Sequence, residues 1–301
     1  MSPTLIGFIV YLVTVLVAGL LTFRLNKTQA DFLLAGRRLN IWVATFSERA
    51  SGESAWLLVG LPAVAMTIGL VEAWTAIGCV LGIVAAWFII AEPLRRESAR
   101  FDALTIPEFL TARFGVQTNA IRLVATGIIV FFYAFYIAAQ FNGAGKVLFS
   151  TFGIPPTLGI TLGAGVIVLY TLMGGFFAVA WTDFIQALIM FGTLVILPIV
   201  GYVELVEQGG SIGASLEAAP AIASWTGQKS GLGAFAAILG GLSWGFGYFG
   251  QPHTVIRFMS IDRPEAVRRG RIIAFAWAAP AYLQVRACFP QQNDGQCRHS
   301  Q

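Results

Sequence analysis

The sequence predicts an all-α protein that crosses a membrane many times. Of its 301 residues, 57% are hydrophobic and 11% charged, against about 25% charged in an average soluble domain. The mean hydropathy is +0.76. Apolar runs near the ~20 residues needed to cross a bilayer core recur along the chain. Lys and Arg gather in alternate connections between those runs, as the positive-inside rule requires of a multi-pass protein.

The first run, Leu5–Thr22, is too long for a cleavable signal and lacks a basic leader, so it reads as a true span. A polar connection with Arg24, Lys27, Arg37 and Arg38 follows. The run from Ile41 to about Ala65 is interrupted by Ser47-Glu48-Arg49-Ala50-Ser51-Gly52-Glu53-Ser54. A charge at the centre of a membrane helix costs roughly 2.5–3.5 kcal/mol unless it faces a cavity or a partner. The stretch therefore reads as the polar middle of a broken helix that binds a solute and a cation. Two other readings stay open: a re-entrant loop, or an internal ion network with Arg49 and Glu53 on one helical face.

Leu70 to about Ala91 is the next span, ending at Glu92-Pro93. Arg95–Gly115 reads as a charged loop. Within it, Thr105-Ile106-Pro107-Glu108 has capping-box spacing and should start a short surface helix, Pro107 to Phe114. Further spans are expected at Ile121–Asn142, Leu158–Val179, Phe184–Val203 and Leu232–Phe249. With the N-terminus outside, fourteen Lys and Arg fall in inside loops, Arg257 among them, and two, Lys146 and Lys229, outside. The last run, Ile272–Leu283, is about 18 Å long as a helix, short of a core of roughly 30 Å. Polar residues follow it. Residues 279–301 are accordingly expected to be an atypical tail on a membrane domain of residues 1–278.

Leu232–Phe249 is the second unusual span. Gly240, Gly241, Gly245 and Gly247 weaken it, each costing up to about 1 kcal/mol, and Gly250 and Pro252 end it. Trp244 and Tyr248 are four apart and share a face. The glycines fit either close helix packing or a recess with an aromatic wall. Tyr136 brings a hydroxyl to mid-span and fits an interhelical bond or a ligand contact. Asp183 falls at an inside boundary and reads as a helix cap. Two weakened helices far apart in sequence suit a secondary transporter, whose unwound segments offer carbonyls to cations and half-helix ends to carboxylates.

Other classes lack support. There is no nucleotide-binding glycine loop, no HExxH, and no Cys/His cluster; Cys79, Cys288 and Cys297 make no metal or disulfide pattern. His253 stands alone beside Pro252. No enzyme, cofactor or nucleic-acid partner is expected. A membrane solute sensor or interaction subunit remains as the alternative to a carrier.

Five stretches resemble the sodium/solute symporter family. They are Asp31-Phe32-Leu33-Leu34-Ala35-Gly36-Arg37, Ser54-Ala55-Trp56-Leu57-Leu58-Val59-Gly60-Leu61-Pro62, and Ala103-Leu104-Thr105-Ile106-Pro107-Glu108-Phe109. The others are Gly174-Gly175-Phe176 through Trp181-Thr182-Asp183, and Trp244-Gly245-Phe246-Gly247-Tyr248-Phe249-Gly250-Gln251-Pro252-His253. The resemblance implies an inverted five-plus-five helix repeat with an extra N-terminal helix, Leu5–Thr22, and a second repeat mostly missing. It implies a multi-pass protein of a bacterial inner membrane, with Na+ as the coupling ion and proline or a similar small solute as cargo. Ser54, Trp56, Tyr136, Trp244 and Tyr248 would surround the solute, backbone carbonyls of Ala50 and Glu53 would bind sodium, and Asp183 would be tied to sodium-dependent transport. No other metal is implied. One departure stands out: Gly52 occupies the place of the sodium-linked aspartate in the proline-carrying members. Glu53 beside it points about 100° away on a regular helix. The family's chains are also much longer, so these residues alone are expected to be an incomplete, inactive form.

Overall fold

A computed structural model of the chain describes residues 2–115, 118–211, 213, 217, 220 and 222–283. The described residues are overwhelmingly helical and hold no strand; an isolated bridge joins Leu39 and Ile261. Among the described residues, five helical stretches are long and apolar enough to cross a membrane: Pro3–Phe23, Trp56–Arg100, Ala120–Phe152, Pro156–Glu207 and Gly231–Phe249. The chain forms two compact units. The first comprises Met1–Ser51, Ala91–Gln186 and Pro252–Val267; the second comprises Gly52–Ile90, Ala187–Gln251 and Arg268–Gln301.

Helix α1 (Pro3–Phe23) opens the first unit, capped by Ser2. The polar connection after it is partly helical. Helix α2 (Gln29–Leu34) starts with a capping box in which Thr28 and Asp31 each accept the other's backbone N–H at 3.1 Å. Burial pushes the Asp31 carboxyl up, but the Thr28 hydroxyl, the Lys27 amide and Arg38 outweigh it and hold the group below its ordinary range.

Helix α3 (Ile41–Ala55) contains the polar patch and breaks at Ser54, whose φ of 50° and ψ of −165° are not helical. The winding widens to a π-helix over Trp56–Gly60 before α4 (Leu61–Ile68) resumes. The same pattern recurs: α5 (Ala73–Ala85) widens over Ala86–Ile90 and continues as α6 (Ala91–Arg100). Each wide segment contains the residue four before a proline, Leu58 before Pro62 and Ile89 before Pro93. A proline supplies no N–H to that carbonyl and its ring collides with it, so a wider turn relieves the misfit. The helix therefore passes through Pro93, and the expected loop from Arg95 begins only after Arg100.

Helix α7 (Ile106–Phe114) is capped by the Thr105 hydroxyl, which accepts the Glu108 N–H at 3.3 Å. Helix α8 (Ala120–Phe152) is one unbroken rod. The spans expected at Leu158–Val179 and Phe184–Val203 are joined in α9 (Pro156–Glu207), which breaks only at Gly175 (φ 54°). There a Cβ would stand 2.8 Å from the Phe32 carbonyl oxygen, a conformation and a gap that only glycine meets without strain. Helix α10 (Gly231–Ser243) tightens to a 3₁₀ segment, Trp244–Phe249, and is interrupted before α11 (Pro252–Ser260). The last helix, α12 (Val267–Leu283), begins earlier than its apolar run and reaches about 25 Å. Most of the expected tail, 279–301, lies outside the described residues.

Packing within each unit follows from small residues and buried arginines. In the second unit Gly78 and Gly82 of α5 face Gly241 and Gly245. A Cβ on Gly82 would lie 2.2 Å from the Gly245 carbonyl oxygen, and one on Gly245 would lie 2.3 Å from that of Gly78. This is the small-xxx-small contact of membrane helices. In the first unit Arg37 donates to the carbonyls of Ser98 (2.9 Å) and Ala103 (2.7 Å), and Arg95 to those of Ile261 and Asp262.

Candidate functional site

The second unit contains a recess of about 650 Å³. Its aromatic wall is made by the two weakened helices. Past the break, the Trp56 N–H donates to the Ser54 hydroxyl at 3.3 Å. Gly60 leaves room for the Trp56 indole, since a Cβ there would stand 2.8 Å from the ring. Trp244, at the start of the 3₁₀ segment, stacks on Trp56 with centroids 5.1 Å apart and planes inclined by 12°. Nothing fits between rings that close, so a bound molecule would lie against the pair. Gly240 and Gly241 bring backbone to the recess, while Gly241 and Gly245 also serve the contact with α5. Both readings of the glycine-rich span thus hold, Gly240 serving the recess, Gly245 the helix contact and Gly241 both. Tyr248 is buried on this same segment.

The first unit holds a buried polar cluster. Arg257 of α11 donates to Asp183 Oδ2 at 2.5 Å and to the Ser47 and Ser51 hydroxyls at 2.6 Å each. Both serines also donate to Asp183 Oδ2, at 2.7 and 3.1 Å. Arg257 bonds the His253 carbonyl as well and lies 5.7 Å over the Phe176 ring. Asp183 is therefore no helix cap: it sits within α9 and balances a buried guanidinium. Arg257 is no loop charge either, being 4% exposed. Glu48 and Arg49, both buried, pair with each other. Tyr136 stacks on His253 with centroids 5.4 Å apart, and His253 bonds the Tyr133 hydroxyl. Ala50 is buried in this unit, and Glu53 is buried in the other. Among the described residues no group of three His, Cys, Asp or Glu could hold a metal ion.

Ser54, Trp56, Trp244 and Tyr248 thus share one unit, and the structure brings the two tryptophans into contact. Tyr136 belongs to the other unit. The profile of the sodium:solute symporter family matches residues 32–291. The chain belongs to the sodium:solute symporter family. It is 34% identical over 285 residues to the sodium/proline symporter of Escherichia coli (strain K12), covering 92% of this chain and 54% of that protein. It is 36% identical over 263 residues to the high-affinity proline transporter PutP of Bacillus subtilis (strain 168), covering 87% of this chain and 55% of that protein. The chain spans about half the length of these curated relatives. Among solved structures, an outward-open, substrate-bound Na+-coupled sialic acid symporter superposes with a TM-score of 0.78 at 22% identity. The match covers 93% of this chain and 59% of that one, and speaks to the fold.

The family is one of symporters, and the helical architecture with its long apolar stretches agrees with membership. Sequence reasoning missed Arg257, Glu72 and Lys229. Arg257 carried a signal, since it lies three to four residues after His253-Thr254 on an amphipathic helix that buries Thr254, Phe258 and Ser260. Glu72 and Lys229 line the recess where a loop docks on the turn Gly69–Glu72, a contact that no local pattern announces.

Proposed function

We propose that the chain is the N-terminal part of a secondary carrier that couples Na+ entry to uptake of proline or a similar small solute. The observation that carries this reading is the Trp56–Trp244 stack on the wall of the recess, immediately past the break at Ser54. The indole faces offer apolar area to a ring or aliphatic chain, and the broken helix exposes backbone polar groups to its charged ends. The family and the proline carriers among the relatives support the cargo and the ion. Ser54, Trp56, Trp244 and Tyr248, all of the second unit, are the proposed solute contacts. The carbonyls of Ala50 and Glu53, in the turn before the break, are the proposed sodium ligands, with Asp183 tied to sodium dependence through its buried cluster. The N-terminus is placed outside the cell; removing the buried Arg95 and Arg257 from the loop count leaves the charge asymmetry in place. Because alternating access needs two halves that move against one another, these 301 residues expressed alone are expected to bind without transporting.

The test is equilibrium binding of radiolabelled proline to the purified chain. Saturable binding that rises with Na+ is expected, weakened at least tenfold by Trp56→Ala and by Trp244→Ala. Binding of equal strength in all three proteins would refute the site. Na+-dependent proline uptake by vesicles holding only this chain would refute the expectation of binding alone.

A further inference from the structure

The recess carries more than its aromatic wall. Glu72 and Lys229 both line it, and among the described residues neither takes part in an ion pair. The fold holds them there. The loop that ends in Lys229 is docked on the turn that ends in Glu72: the Leu70 N–H donates to the Ile222 carbonyl at 2.7 Å, and the Trp74 indole N–H donates to the Trp225 carbonyl at 2.9 Å. Within the loop, the Ser224 hydroxyl accepts the Gln228 N–H at 2.8 Å, and the Lys229 N–H reaches the Thr226 carbonyl at 3.3 Å. The Lys229 stem then lies along Gly233, its Cβ 3.5 Å from where a Cβ would stand.

Two opposite charges that line one recess without pairing with each other match a ligand that bears both signs. We propose that Glu72 and Lys229 bind a zwitterionic solute by its two ends, the ammonium at Glu72 and the carboxylate at Lys229, with its apolar body against Trp56 and Trp244. A solute with a single charge would leave one partner unanswered, so the pair selects for zwitterions. This inference rests on the recess being the solute seat.

Proline binding to the purified full chain tests it. Glu72→Gln and Lys229→Met are each expected to weaken binding at least tenfold. The charge swap, E72K with K229E, is expected to bind more tightly than either single variant, because a zwitterion can turn end for end. A structural role in which the two side chains do not meet would give no such recovery. If both single variants bind as the parent does, or the swap is no better than they are, the inference is overturned. Trp56→Ala in the same series separates the two failures. Loss of binding there keeps the seat and removes only the charged pair; unchanged binding removes the seat itself.

Discussion

Replacing Arg257 by Met is expected to destabilise the first unit strongly, through the loss of the charge at the centre of its polar cluster. The guanidinium is bonded to Asp183, Ser47, Ser51 and the His253 carbonyl, all in the protein interior. Removing one partner of a buried pair leaves the other charge without compensation, at a cost of about 3–5 kcal/mol. For a chain of this size that corresponds to a fall of roughly 10 °C in melting temperature. Asp183→Asn should cost a comparable amount, because Arg257 is then the uncompensated charge. The double variant R257M/D183N should lose clearly less than the two single losses combined, since neither charge is left behind. Thermal melting of the purified variants measures all three. Additive losses would mean that the two residues act independently, and the cluster would not be the unit described here.

The second large effect is expected at Gly245. A valine there would push its Cβ to 2.3 Å from the Gly78 carbonyl oxygen, with backbone also behind it at Gly82. Neither neighbour is a flexible side chain that can swing aside. Overpacking of a core commonly costs 1–3 kcal/mol, and contact with backbone on two turns of a neighbouring helix belongs at or above that range. Gly245→Val is therefore expected to yield little folded protein, whereas Gly240→Ala, with open space at its Cβ, should fold normally. Yield of monodisperse protein after detergent extraction compares them. Equal yields would show that α5 and the 3₁₀ segment are not packed through these glycines.

Much of this was legible from the chain. Charges and serines inside an apolar run announced the break near Ser54, because hydrocarbon does not tolerate them in a regular exposed helix. Glycines before Gly250 and Pro252 announced the second. The two wide turns could have been read from Pro62 and Pro93, four residues after the carbonyls they strand. Arg257 was hidden because an arginine ahead of Arg263, Arg268 and Arg269 looks like one more surface charge. Its burial depends on Asp183, 74 residues away in sequence. Asp183 was misread for the same reason: with no partner in view, a carboxylate near a helix boundary suggests a cap. The join of two expected spans into α9 turned on Gly175, where the chain bends without leaving helical winding on either side.

The account stands on the recess beside the stacked tryptophans being wet and occupied by solute. A single cysteine at Ala237, which lines it, in a chain with Cys79, Cys288 and Cys297 replaced, measures this directly. Labelling by a water-soluble maleimide should proceed without solute and be slowed severalfold by proline in the presence of Na+, at the concentrations that saturate binding. A cysteine that labels at the same rate whether or not proline is present, while proline binds the same protein, would place the solute elsewhere and contradict the account.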